Sequence, residues 1–264
     1  MRKYLAVLAV VAVLGLVLST GAFAQGMANV RVVHASPDAP AVDVLVDGAV
    51  AFENAPFKGI TDYAGLDPAT YNVQVVPTGE TEPVVIDADL SLDADTDYTV
   101  VAVDVLENIE PLVLVDDNTL PGAGSAKVRF VHASPNAPNV DIQVADGGPM
   151  LFENIPFKQA SDYLTVDAGT YDLEVLIHDS GDVALEVPGV ALNENTVYTI
   201  FAMGLAGGDP ALQAVPSVDA TGEVLPESGG MSNTLTAILA LLGIGLIVTI
   251  GGFALRRRSV RVTH

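Results

Sequence analysis

The chain repeats itself, and the length of the repeat limits what it can fold into. Val30-Arg31-Val32-Val33-His34-Ala35-Ser36-Pro37-Asp38-Ala39-Pro40 returns as Val128-Arg129-Phe130-Val131-His132-Ala133-Ser134-Pro135-Asn136-Ala137-Pro138, and the match runs on to Asp43 and Asp141. Over residues 30–43 against 128–141, 11 of 14 positions are identical. A second block, Phe52-Glu53-Asn54 with Pro56-Phe57-Lys58 and Asp62-Tyr63, comes back as Phe152-Glu153-Asn154, Pro156-Phe157-Lys158 and Asp162-Tyr163. Thr70-Tyr71 answers Thr170-Tyr171, and Tyr98-Thr99 answers Tyr198-Thr199. The offset moves from 98 (128 − 30) to 100 (152 − 52), which places a two-residue insertion near Asp146-Gly147-Gly148. A period near 100 is a domain length and too long for a solenoid unit. The expectation is two homologous domains, residues 25–115 and 126–216, joined by a linker at 116–125 rich in Pro, Gly and Asn.

Each copy reads as all-β. In the first copy, short Val-rich runs at 29–35, 42–46, 49–53, 61–66, 71–76, 84–90, 98–105 and 112–115 are separated by turn residues. Asp47-Gly48 has the composition of a tight hairpin turn. Neither copy has a helical period of useful length. The fold expected is two tandem antiparallel β-sandwiches, immunoglobulin-like or transthyretin-like, followed by one C-terminal transmembrane helix. There is no cysteine and no tryptophan, so the apolar core alone must hold each sandwich, and thiol catalysis and thiolate metal sites are excluded.

The opening V-R-x-V-H-A-S-P-[DN]-A-P-x-V-D, present in both copies, resembles the domain-of-unknown-function family 4397 of prokaryotic surface proteins. The Phe52/Phe152 and Thr70/Thr170 segments fit the same resemblance, which covers nearly all of the repeated region. It implies a secreted β-sandwich, often repeated, and no activity, substrate or catalytic residue.

The termini read as targeting segments. Arg2 and Lys3 precede an apolar run over 5–18, and Ala22-Phe23-Ala24 closes it, so residues 1–24 have the pattern of a secretory signal cleaved between Ala24 and Gln25. The alternative is an uncleaved membrane helix, for which the run is short against the ~20 residues that a span needs. Residues 234–255 carry no charged side chain and are long enough to cross a bilayer as a helix. Arg256-Arg257-Arg258 follows in the 256–264 tail, which by the positive-inside rule lies in the cytoplasm with the repeats outside. Within the 217–233 stalk, Leu225-Pro226-Glu227-Ser228-Gly229 resembles a sortase sorting signal of the L-P-x-T-G type, with Ser228 standing where that family has Thr. The resemblance implies cleavage after Ser228 and covalent attachment to the cell wall. The alternative is an ordinary stalk before a permanent membrane helix.

Charge is placed very unevenly. Of 11 basic residues, two lie in the signal and four in the tail, which leaves five (11 − 2 − 4): Arg31, Lys58, Lys127, Arg129 and Lys158. Against 33 acidic residues, the region between carries a formal charge of −28 (5 − 33). Such a surface repels nucleic acid and anionic lipid and attracts cations. Arg31 and Arg129 are expected to pair with a carboxylate such as Asp43 or Asp141, and Tyr63, Tyr71 and Tyr98 with their counterparts to fill core and sheet edges.

Two clusters could carry chemistry. His34, Ser36, Asp38 and Asp43, echoed by His132, Ser134, Asn136 and Asp141, hold the residue types of a nucleophilic hydrolase. However, the serine sits two residues from the histidine in a strand entering a Pro-rich turn, with no glycine-rich oxyanion loop and with Asp38 replaced by Asn136. The structural alternative has Ser36 and Asp38 bonding backbone amides while His34 packs at the strand end. Asp93, Asp95 and Asp97 could gather oxygen ligands for calcium, although the glycine and glutamate of an EF-hand loop are missing. No residue pattern calls for a cofactor. The reading is a surface-displayed, non-enzymatic structural or adhesion protein of a prokaryotic envelope. The alternatives are a cation-, peptide- or glycan-binding module and a secreted hydrolase.

Overall fold

The computed structural model describes residues 26–222. The signal with its Ala24/Gln25 junction, the Leu225–Gly229 motif, the 234–255 span and the basic tail all lie outside the described residues. Among the described residues, no helix is long and apolar enough to cross a membrane.

The fold is all-β, with 17 strands in four sheets and one turn of 3-10 helix at Leu106–Asn108. The first copy comprises β1 (Ala28–His34), β2 (Val42–Val46), β3 (Ala49–Ala55), β4 (Ala64–Leu66), β5 (Thr70–Pro77), β6 (Ile86–Ser91), β7 (Asp97–Val103) and β8 (Glu110–Asp116). The second comprises β9 (Ser125–His132), β10 (Val140–Val144), β11 (Met150–Ile155), β12 (Gln159–Ala160), β13 (Leu164–Asp167), β14 (Gly169–Ile177), β15 (Val183–Leu192), β16 (Thr196–Met203) and β17 (Gln213–Thr221). Each copy stacks an outer sheet, β3-β2-β5-β6 or β11-β10-β14-β15, on an inner sheet, β4-β1-β7-β8 or β12-β9-β16-β17, with β13 also paired to β9. Asp47 and Gly48 both adopt positive φ, as the two-residue turn between β2 and β3 requires.

Two expectations need correction. The sheets are not wholly antiparallel, because β1 pairs with β7, and β9 with β16, in parallel. Each copy also runs past its expected end. β8 reaches Asp116 and β17 reaches Thr221 rather than Pro216, while β9 already begins at Ser125, so the linker shrinks to residues 117–124. Both longer strands carry a buried carboxylate, Asp116 at the end of β8 and Asp219 two residues before the end of β17, and each meets an arginine of the opposite copy.

Burial on both faces explains why the central strands of the inner sheets read as nearly continuous apolar runs. A strand buried on one face alternates apolar with polar residues, whereas one buried on both faces does not. In β1, Val30 and Val32 face the first copy's own core and Val33 faces the other way, as does Ala35 just beyond the strand. In β16, Tyr198, Ile200 and Ala202 fill the second copy's core while Phe201 and Met203 point outward from it. Those outward residues meet. Val33, Ala35, Val101 and Val103 of the first copy form one cluster with Val131, Ala133, Phe201 and Met203 of the second, and every one is fully buried. The two inner sheets therefore pack face to face, and the seam between the copies is as dry as a domain core. Residues 26–222 fall within one compact unit.

Removing the largest aromatic of the seam is expected to destabilise both copies together. Phe201→Ala should cost about 3–5 kcal/mol in urea unfolding, with one transition retained. Two resolved transitions in the parent chain would contradict a shared core.

Candidate functional site

The His/Ser/Asp residues do not assemble into a catalytic set. His34 and Ser36 are fully buried at the end of β1. The His34 Nδ1 accepts from the Ser36 amide at 3.3 Å, and Nε2 lies 2.9 Å from the Pro40 carbonyl, so the ring is held neutral with its proton on Nε2. Burial lowers the His34 pKa, and the Pro40 contact opposes this only in part. His132 repeats the arrangement with the Ser134 amide and the Pro138 carbonyl, and burial lowers its pKa as well. The serine hydroxyls turn elsewhere: Ser36 Oγ donates to Asp38 Oδ1 at 3.4 Å and Ser134 Oγ to the Gly204 carbonyl at 2.6 Å. Asp38 in turn accepts from the Leu106 amide at 2.7 Å. Neither ring has a nitrogen left to take a proton from serine, so both histidines act as turn braces.

Asp43 and Asp141 serve the outer sheets. Asp43 accepts from the amides of Asn54 at 2.7 Å and Gly79 at 2.9 Å. The Gly79 amide first, then that of Asn54, holds its carboxyl below the ordinary range. Asp141 accepts from the Asn154 amide at 2.6 Å and sits 2.8 Å from His178 Nδ1. Neither carboxylate pairs with an arginine, which corrects the expectation for Arg31 and Arg129.

The calcium candidate gains no geometry. Asp93 and Asp95 lie in the turn between β6 and β7, with Asp95 at positive φ. Both Asp97 oxygens are taken by amides, those of Asn29 and Asn118, each at 2.7 Å. Among the described residues, no three His, Asp or Glu side chains converge to hold a metal ion.

The polar chemistry that the fold does assemble lies in the seam, and it is crossed. Arg31 of the first copy pairs with Asp219 of the second, its Nη2 2.7 Å from Oδ1. Arg129 of the second copy pairs with Asp116 of the first through Nη2 and Oδ1. Each arginine also donates from Nε to a threonine of its own copy, Arg31 to Thr99 at 2.8 Å and Arg129 to Thr199 at 2.9 Å. Each threonine hydroxyl donates to the aspartate at the end of its own copy, Thr99 to Asp116 and Thr199 to Asp219. Each guanidinium stacks over a tyrosine of its own copy, Tyr63 or Tyr163, 4.8 Å from the ring centroid. Tyr63 and Tyr163 thus belong to the seam, not to a sheet edge, and burial raises both phenol pKa values.

The lysines follow the same near-two-fold pattern. Lys58 reaches Gln213 across the seam at 2.9 Å, and Lys158 reaches Glu110 at 2.8 Å and Asp104 at 2.6 Å. Lys127 pairs with Asp117 at 2.9 Å. All five basic residues of the repeats are therefore engaged where the copies meet.

The two halves of the seam are not equal. At Asp116, Thr99 and Tyr63 donate at 2.6 Å and Arg129 completes the set. At Asp219, Arg31 Nη2 lies close but outside hydrogen-bond alignment, and the Tyr163 hydroxyl is buried without a partner. Burial pushes the Asp219 carboxyl above the ordinary carboxylate range, and Arg31 and Thr199 pull it back only in part. Asp116 and Asp219 were missed in sequence. The signal was present, since each is an aspartate directly after a valine in an edge strand, Val115-Asp116 and Val218-Asp219, at an offset of 103 (219 − 116).

Fold and seam define a protein of two homologous β-sandwiches joined through their inner sheets. The chain belongs to the family described as Domain of unknown function (DUF4397), whose profile matches residues 28–143 and 144–229. No curated protein matches it. Among solved structures it is similar to the C-terminal domain of AlgF from P. aeruginosa, at 15% identity over 36% of this chain and 98% of that one, with a TM-score of 0.29. The family 26 carbohydrate-binding module of Eubacterium rectale Amy13K, solved with maltoheptaose, matches at 12% identity over 72% and 96%, TM-score 0.24. The Bacillus anthracis TIE protein matches at 12% identity over 69% of this chain and 34% of that one, TM-score 0.24. Likenesses this distant bear on no function.

Breaking the two crossed pairs should cost unequally. Arg129→Met strands a fully desolvated carboxylate and is expected to cost about 3–5 kcal/mol. Arg31→Met should cost less, because Asp219 can take up a proton instead. Urea unfolding of both variants checks the order, and the reverse order would contradict it.

The histidines set a pH dependence. Their folded pKa values lie below the unfolded value of 6.5. Below that pH the unfolded chain binds protons that the folded chain refuses, so their contribution is complete above pH 6.5 and is lost as pH falls toward the folded pKa. The slope is at most about 1.4 kcal/mol per pH unit for each histidine. Stability of the parent should therefore fall more steeply from pH 7 to pH 5 than that of a His34→Gln/His132→Gln variant. Equal slopes would contradict the buried neutral rings.

Proposed function

We propose that the chain is displayed outside a prokaryotic cell, anchored through its C-terminus, as a non-enzymatic structural or adhesion protein. The observation that carries this reading is the order of segments: a signal pattern at 1–24, the repeats, the Leu225-Pro226-Glu227-Ser228-Gly229 motif, the 234–255 apolar run and the arginines. The signal sends the repeats out, the arginines hold the tail in, and the motif makes the membrane helix a sorting stage ahead of sortase transfer to the cell wall. Under this reading each copy is a sandwich of immunoglobulin-like or transthyretin-like kind. The dispersal of His34, Ser36 and Asp43 onto separate partners supports a role without catalysis.

A second reading, a binding module, is favoured by the charge distribution. With Arg31, Lys58, Lys127, Arg129 and Lys158 all engaged at the seam, the remaining surface of the repeats presents carboxylates without cations. Such a surface suits cations or basic peptides, not nucleic acid.

Cell fractionation with mass spectrometry of the mature chain tests the anchoring. The expected product starts at Gln25 and ends at Ser228 with a wall fragment attached. A membrane-bound product that keeps Arg256–His264 would contradict sorting.

A further inference from the structure

The seam has the form of a two-fold interface written into one chain. In a two-fold dimer, residue i of one partner meets residue j of the other, and j meets i. Here Arg31 meets Asp219 and Arg129 meets Asp116, and these are equivalent positions of the two copies. Lys58 with Gln213 and Lys158 with Glu110 repeat the relation, and their partners Glu110 and Gln213 stand at the same offset of 103 (213 − 110) as Asp116 and Asp219. Each copy thus carries both halves of a self-complementary face.

That face cannot be left open. It buries Phe201, Met203, Val33, Val101 and their neighbours completely, together with two arginines and two aspartates. Apolar seams of this kind are obligate, because parting them exposes a core. A copy that leaves its mate must find an equivalent mate, and only another molecule of the same chain supplies one.

The connection between the copies is short and held at both ends. Asn118 Nδ2 donates to Asp97 of the first copy at 2.7 Å. The Gly124 amide donates to Glu194 of the second copy at 2.8 Å, and the Asn195 amide donates to the Gly122 carbonyl at 3.2 Å. Gly122 and Gly124 both adopt positive φ. The Thr119 amide donates to Asp117 Oδ1 at 3.0 Å, which leaves Leu120-Pro121 as the hinge, and short hinge loops under constraint favour exchange of domains between chains. The imperfect Asp219 half, with its misaligned arginine and unpartnered Tyr163 hydroxyl, is the half that parts at the lower cost.

We propose that the chain exchanges copies with a second molecule of itself: the first copy of one chain docks on the second copy of another through this seam, and the reverse pairing closes the dimer. The inference rests on the seam alone and stands whether or not the chain is anchored as proposed above.

Charge reversal separates the arrangements. Full-length chains carrying Arg31→Asp or Asp219→Arg, each with a different affinity tag, are refolded together in detergent. Neither variant can satisfy the seam alone or with its own kind. In the exchanged mixed dimer, residue 31 of one chain as Asp meets residue 219 of the other as Arg, and the second seam is native. The mixed pair is expected to co-purify about tenfold more than either same-variant pair. The chain bearing both reversals carries a complementary seam again and should exchange with its own kind as far as the parental chain does; exchange no greater than in the same-variant pairs would overturn the proposal. Mixed pairs that co-purify no better than same-variant pairs would overturn the proposal. A readout on the unreversed seam guards against variants that fail to fold. Inserting six Gly/Ser residues between Pro121 and Gly122 should lower the exchange between differently tagged parental chains several-fold, and undiminished exchange would likewise overturn it.

Discussion

The crossed arginine–aspartate pairs govern the rest of the structure. An arginine buried among valines is tolerated only when its charge is matched and its donors are used. Arg129 meets that demand with Thr199, the face of Tyr163 and Asp116 of the other copy, and Arg31 with Thr99, the face of Tyr63 and Ser217 of the other copy, its charge matched by Asp219. Once those carboxylates come from the opposite copy, the inner sheets must lie face to face. The apolar residues that share the arginines' face then have no water to face, and Val33, Val131 and Phe201 close the seam. Two sandwiches share one buried seam within one compact unit.

The same arrangement shapes the surface. Every cation of the repeats is drawn to the seam, so attraction is concentrated between the copies and repulsion is left outside. A surface of carboxylates keeps such a body soluble and apart from acidic polymers. It also means that the self-complementary face described by the crossed pairs lies inside, covered by the chain's own second copy. What the protein presents to its surroundings and how it holds itself together are consequences of one partition of charge.

Much of the fold was legible in sequence. The repeat gave the domain count, and Asp47-Gly48 marked a hairpin that the backbone realises with two positive φ angles. The amide-bonding role expected of Asp38 was legible because a Pro-rich turn needs its amides satisfied locally, whereas the one expected of the Ser36 hydroxyl falls to the His34 ring. The parallel pairing of β1 with β7 was not, since apolar runs give burial on two faces but no strand direction. Nor were the arginine partners. Asp43 lies on the neighbouring strand in sequence, yet its oxygens are claimed by the amides of Asn54 and Gly79, while the true partners lie 188 (219 − 31) and 13 (129 − 116) residues away. Reading each copy as a separate domain hid the choice, because the ends of both domains were cut just short of the aspartates that join them.

Native-state hydrogen exchange tests the central claim that the copies form one body through the crossed pairs. The amides of Val33 and Val101 in the first copy and of Val131 and Phe201 in the second should exchange only through a common opening of equal free energy. Asp219→Asn, a change confined to the second copy, should lower protection at Val33 and Val101 as much as at Phe201. Loss of protection limited to the second copy would contradict the account.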